Sequence, residues 1–211
     1  MKKWLKNVSF MILLLKSCIL LCQNLDTKKI VVIDPGHGGK DSGAIGINGI
    51  QEKDVALNIA NAILKLNDEL DKTLDIYLTR HTDTLISISD RTKLAKVLKA
   101  DLFVSLHCNH SDNVHSRRVE VYVANQNSEF SEEAIWLAFQ LQADLKKKLG
   151  FESRGVKFAN FQVLRETIAY CSSLLLELGF LSNWDENMYL SNSNRIKIIA
   201  YLIYESIKYK R

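Results

Sequence analysis

The chain has 211 residues, of which 47% are hydrophobic and 25% charged. That is enough apolar material for one folded domain, and it excludes a disordered chain. Of the 28 lysines and arginines, four (Lys2, Lys3, Lys6 and Lys16) lie in the first 25 residues, which hold no acid. The remaining 24 cations face 24 carboxylates, so the body is neutral and a nucleic-acid partner held through its phosphates is excluded.

The first 25 residues read as an export leader. Three lysines precede an apolar run from Val8 to Leu15, and Lys16 separates it from a second run from Cys18 to Cys22. A spanning helix needs about 20 uninterrupted apolar residues, so the alternative of an uncleaved anchor fits less well. Cys18 and Cys22 are candidates for a lipid-bearing cysteine, although Leu21 and Lys16 are poor neighbours for that role. The expectation is a leader over 1–25 and a catalytic domain over 26–211, exported to the periplasm or cell envelope, with membrane association through the leader. The body keeps two cysteines, Cys108 and Cys171, too few for a disulfide framework.

From residue 30 onwards, strand and helix patterns alternate. KIVVIDPG is a buried strand that ends in a turn. Glu52 to Leu70 has helical spacing, with Val55, Ile59, Ala62, Ile63 and Leu66 on one side. LDIYLT is a strand, and Asp90 to Leu98 a short helix capped by Ser89. DLFVSLHCN and VEVYVA are strands. Ser128 to Leu149 is a long amphipathic helix with Glu129, Glu132 and Glu133 at its start. FQVLRE reads as a short strand, SSLLLELGF as a fully buried one, and Asn194 to Lys208 as the last helix. This alternation predicts a single-domain α/β fold, a twisted, mostly parallel mixed sheet with helices on both faces (phosphorylase/hydrolase-like). Ligand sites in such sheets gather beyond the carboxyl ends of the strands.

Three strand ends carry polar groups that a sheet does not need. In Asp34-Pro35-Gly36-His37-Gly38-Gly39, glycines let the backbone turn sharply around one imidazole. A phosphate loop is excluded, since no Gly-Lys-Ser/Thr follows, and a dinucleotide fingerprint is excluded, since Glu52 opens the next helix. His107 ends a long apolar run, and the pleat sets it on the opposite face from Cys108. Glu177 lies inside Leu174-Leu175-Leu176-Glu177-Leu178, where a carboxylate must be paired, protonated or functional. Glu52 alone is weak, because glutamate suits any helix N-terminus. His81, His110 and His115 fall in polar loops, of which only His110 stands close to His107. Taken singly, each of these groups has an ordinary structural explanation. Taken together, two histidines and a glutamate match a catalytic zinc set with one position open to water, and a second glutamate matches the base that such sites need.

The blocks IVVIDPGHGGKDSGAIGINGIQEKDVALNIA, LTRHTD, SLHCNHSD, RRVEVYV, RGVK, VLRET and LLLELGFLSN stand in an order that resembles the zinc-dependent N-acetylmuramoyl-L-alanine amidases of the Amidase_3 type, from about Lys29 to Lys208. The resemblance implies one Zn2+ per chain held by His37, Glu52 and His107, with Glu177 as catalytic acid/base. It further implies peptidoglycan as substrate, cut between N-acetylmuramic acid and L-alanine. Two alternatives stay open: a zinc hydrolase of another peptidoglycan amide in the stem peptide, and an inactive wall-binding protein. The sequence departs from the family at Cys108 and His110, where small residues are usual, and at Arg118, where glycine is common. Division-type members carry an extra helix that blocks the site until an activator displaces it. Here Val123 and Glu133 are too close in sequence for such an insertion, so no obligate activator is expected.

Overall fold

The computed structural model describes residues 28–70, 72–150 and 153–208. The leader, and the boundary placed after residue 25, lie outside the described residues.

Six strands, β1 (Lys29–Pro35), β2 (Leu74–Leu78), β3 (Leu102–Asn109), β4 (Val119–Ala124), β5 (Ser153–Ala159) and β6 (Ser172–Phe180), form one sheet in the order β2-β1-β3-β6-β4-β5. β1, β3 and β6 are nearly continuous apolar runs because they are covered on both faces. Pairing is parallel from β2 through to β6, antiparallel between β6 and β4, and parallel again between β4 and β5. The amino-terminal ends of β4 and β5 therefore lie at the same edge as the carboxyl ends of β1, β3 and β6. That edge carries the site.

Among the described residues, six helices surround the sheet: α1 (Glu52–Glu69), α2 (Ile88–Leu98), α3 (Ser131–Leu149), α4 (Gln162–Thr167), α5 (Trp184–Leu190) and α6 (Ser193–Lys208). The β1-α1-β2 step crosses the sheet one way, and β2-α2-β3 returns past β1 the other way. With right-handed crossovers this puts α1 and α2 on opposite faces. α1 and α3 both pack against α6, and α2 packs against α4. Val55, Ile59 and Ile63 of α1 are fully buried, each such side chain contributing about 1.5–3 kcal/mol of burial. Among the described residues, no helix is long and apolar enough to cross a membrane.

Several local expectations change. FQVLRE is not a strand: Gln162–Thr167 is helical, burying Val163, Leu164 and Thr167. The cap of α2 is Ser87, whose side chain accepts from Asp90 N, and Ser89 lies inside the helix. α3 starts at Ser131, later than expected, and Ser128 holds the turn before it by accepting from Phe130 N. β5 and α5 were not anticipated. Cys108 and Cys171 are both buried free thiols, so no disulfide joins them.

Candidate metal centre

β1 delivers the chain to a loop that has little freedom. His37 adopts a left-handed backbone, φ 58°, and Gly38 and Gly39 follow at φ 131° and 59°. Two buried arginines hold the loop by its carbonyls. Arg80 donates to Pro35 O at 3.0 Å and Gly36 O at 2.8 Å, and Arg91 donates to Pro35 O at 2.7 Å and His37 O at 2.6 Å. Arg91 is itself neutralised by Asp34 at 2.7 Å, whose second oxygen accepts from Ser105 on β3. A buried ion pair at the end of β1 thus sets the position of the first imidazole.

Asp41 Oδ2 takes His37 Nδ1 at 2.9 Å, which leaves Nε2 facing inward, 3.1 Å from Glu52 Oε1. His107 approaches the same oxygen with Nδ1 at 2.8 Å. Glu52 opens α1 and turns back over the loop. Its Oε1 also accepts from Cys108 N at 3.0 Å, and its Oε2 accepts from Ala44 N at 2.8 Å. One ligand atom from each of His37, Glu52 and His107 lies within 4.8 Å of the others. The two glycines beside them leave the room they need. A Cβ on Gly36 would sit 2.3 Å from His107 Cε1, and one on Gly43 would sit 2.5 Å from Glu52 Oε2.

The electrostatics show what the three donors do without an ion. Glu52, accepting from both imidazoles, raises His37 to about 9 against the opposing effect of burial, and Asp41 adds to the rise. Burial pushes the Glu52 carboxyl up, but the two imidazoles outweigh it and hold it far below the usual carboxylate range. A buried carboxylate shared by two imidazoles can hold a cation. These three residues fit a metal ion of the borderline class that takes nitrogen and oxygen ligands.

Glu177 stands next to them. It is the register partner of His107 across β3 and β6, and of Glu120 across β6 and β4. Its Oε2 is buried and makes no hydrogen bond. Burial pushes its carboxyl up to about 7; His107 and His37 pull it down, and Glu52 and Glu120 push it up. The sequence-predicted residues His37, Glu52, His107 and Glu177 all line one cleft, together with His110 and Asn109. His81 and His115 are exposed elsewhere. Cys108 is buried beside the cleft residues.

The sequence reading missed Glu120. It is 2% exposed and accepts from Lys157 at 2.8 Å, Arg154 at 3.2 Å and the Tyr122 hydroxyl. Burial pushes its carboxyl up, but these donors hold it below its ordinary value. The signal was present, since an acid in VEVYVA is open to the same question as the acid in SSLLLELGF.

The N-acetylmuramoyl-L-alanine amidase family (Amidase_3) matches residues 31–209, close to the whole described chain. The chain belongs to this family. Among curated relatives it is 36% identical over 172 residues to the N-acetylmuramoyl-L-alanine amidase LytC of Bacillus subtilis, covering 81% of this chain and 32% of that one. It is 34% identical to the endolysin of Bacillus phage SPP1, covering 82% and 62%. The chain thus spans between about a third and three fifths of these relatives' own length. Among solved structures, the catalytic domain of CwlV, an N-acetylmuramoyl-L-alanine amidase from Bacillus (Paenibacillus) polymyxa, superposes with a TM-score of 0.76 at 36% identity, covering 85% of this chain and 96% of that one. The N-acetylmuramoyl-L-alanine amidase of Clostridium difficile 630 gives 0.76 at 32% identity, covering 85% and 95%. The Amidase_3 fold is therefore present from β1 to α6, and the four side chains above lie inside the matched residues.

Proposed function

We propose that the chain is a zinc-dependent N-acetylmuramoyl-L-alanine amidase, hydrolysing the amide between the lactyl group of N-acetylmuramic acid and L-alanine in peptidoglycan. The observation that carries this reading is the convergence of His37, Glu52 and His107 beside a buried carboxyl with an unpartnered oxygen. His37, Glu52 and His107 are the proposed zinc ligands. When bound, zinc supplies a Lewis-acidic charge that polarises the scissile carbonyl and acidifies water.

Glu177 is the proposed acid/base. As carboxylate it takes a proton from the attacking water while the water oxygen bonds to the lactyl carbon. As carboxylic acid it returns that proton to the L-alanine nitrogen as the C–N bond breaks, since the nitrogen leaves poorly as an anion. The products are a free lactyl carboxylate on the sugar and a stem peptide with a free amine. A carboxyl poised near 7 suits both halves of this cycle. Asp41 fixes the tautomer of His37, and the Arg80 and Arg91 bonds hold its loop still.

The leader and the wall substrate together support export to the periplasm or cell envelope, with residues 1–25 as a signal or membrane-targeting segment and 26–211 as the catalytic domain. Mass spectrometry of digested peptidoglycan tests the reaction. Whole stem peptides with a free L-alanine amine are expected, and cleavage within the stem would point instead to a peptidase.

A further inference from the structure

The row of side chains that begins with His107 and Glu177 continues through Glu120 on β4 and ends in two cations from β5. Arg154 and Lys157 both bond to one oxygen of Glu120, Oε1, at 3.2 and 2.8 Å. Its other oxygen takes the Tyr122 hydroxyl and Asn109. Glu120 is thus shared by two cations, and Arg154 also lies within electrostatic reach of the buried Glu186. Glu177 Oε2 has no hydrogen-bond partner. The Glu120 side chain is buried, but Arg154 and Lys157 keep 36% and 38% of their side-chain surface open, so both remain accessible to solvent.

A cavity of about 620 Å³ runs from His37 and His107 towards α2 and α4. Its walls include Leu85, Ile88 and Phe161, and its charged residues are Asp34, Asp41, Asp90 and Arg91. Phe161 packs edge-on against Tyr122, whose ring lies under the Lys157 ammonium, so the cavity adjoins the two exposed cations of β5. A glycan strand has no charge of its own, whereas a stem peptide carries carboxylates. Neighbouring strands lie about 4.8 Å apart, so Glu120 is roughly 10 Å from His107. An extended peptide covers that distance in about three residues.

We infer that Arg154 and Lys157 form a carboxylate-binding subsite for the stem peptide, engaging an acidic group two to three residues beyond the scissile amide. The inference rests on the amidase reading. It places the stem peptide over β4 and β5.

The test compares two muramoyl peptides that share L-alanine and a following acidic residue, one with that residue's carboxyl free and one with it amidated. The wild-type protein is expected to prefer the free acid about tenfold in kcat/KM, through KM, as for one half-buried charge-assisted hydrogen bond. Lys157→Gln and Arg154→Gln should each reduce the preference to about twofold or less, and Lys157→Arg should restore it. The preference is a ratio on one sample, so partial unfolding of a variant does not change it. Equal cleavage of both peptides by the wild type, or an unchanged preference in both glutamine variants, overturns the inference alone. No cleavage of either peptide by the zinc-loaded wild type overturns the amidase reading and the inference with it.

Discussion

Glu177 and His107 are register partners in adjacent parallel strands, so the unpartnered carboxyl and the second imidazole stand side by side on one face of the sheet. Their positions come from the β3–β6 ladder and not from a loop, which gives them the rigidity that proton transfer needs. Glu177→Gln should therefore leave zinc content near one per chain and lower kcat about 10²–10⁴-fold. Zinc analysis and turnover on the same sample check this, and near-normal turnover in the variant removes Glu177 from the mechanism.

Proton and metal compete for His37. Its folded pKa is raised to about 9 from an ordinary 6.5, so the imidazole is charged in the metal-free protein at neutral pH. The His37–Glu52 pair stabilises the metal-free fold fully below about pH 6.5, and that contribution is lost as pH rises through 9. A ligand nitrogen must be unprotonated, so apparent zinc affinity should rise over the same window. Competition titrations at pH 6, 7.5 and 9 measure it; a flat profile contradicts the assignment of His37.

Asp34 is 1% exposed and pairs with Arg91, whose other bonds hold the carbonyls around His37. Asp34→Ala leaves a buried guanidinium without its counter-charge, which costs about 3–5 kcal/mol. Chemical denaturation should show that loss, together with weaker zinc binding. An unchanged midpoint would mean that the loop is held by other contacts.

Only six residues join β4 to α3, and no helix stands between them. The cleft should therefore be open without a partner protein. The purified, zinc-loaded chain should digest peptidoglycan on its own, and a preparation silent until a second protein is added contradicts this.

The sequence carried most of the centre because its polar groups interrupt apolar strands. His107 and Glu177 sit where side chains are otherwise Leu and Val, and such interruptions are visible without coordinates. Glu52 was a weak candidate until the resemblance assigned it as a ligand, since a glutamate opening a helix has an ordinary electrostatic reason to be there. Glu120 was hidden because VEVYVA alternates like a half-exposed strand, whereas Arg154 and Lys157 of the neighbouring β5 close over its carboxylate. Arg154 and Lys157 were missed with β5, an edge strand with Gly155 and a half-buried pattern in place of a clean alternation. FQVLRE misled for a related reason: six residues hold less than two helical turns, too few to separate a period of 3.6 from one of 2.

The proposed centre requires that His37, Glu52 and His107 share one ion. Anomalous diffraction at the zinc absorption edge, from crystals of the zinc-loaded protein, locates that ion without assuming its ligands. A single peak bonded to His37, Glu52 and His107, with Glu177 within reach of the solvent beside it, is the predicted map. A peak elsewhere, or one that leaves any of these three side chains uncoordinated, contradicts the proposed centre.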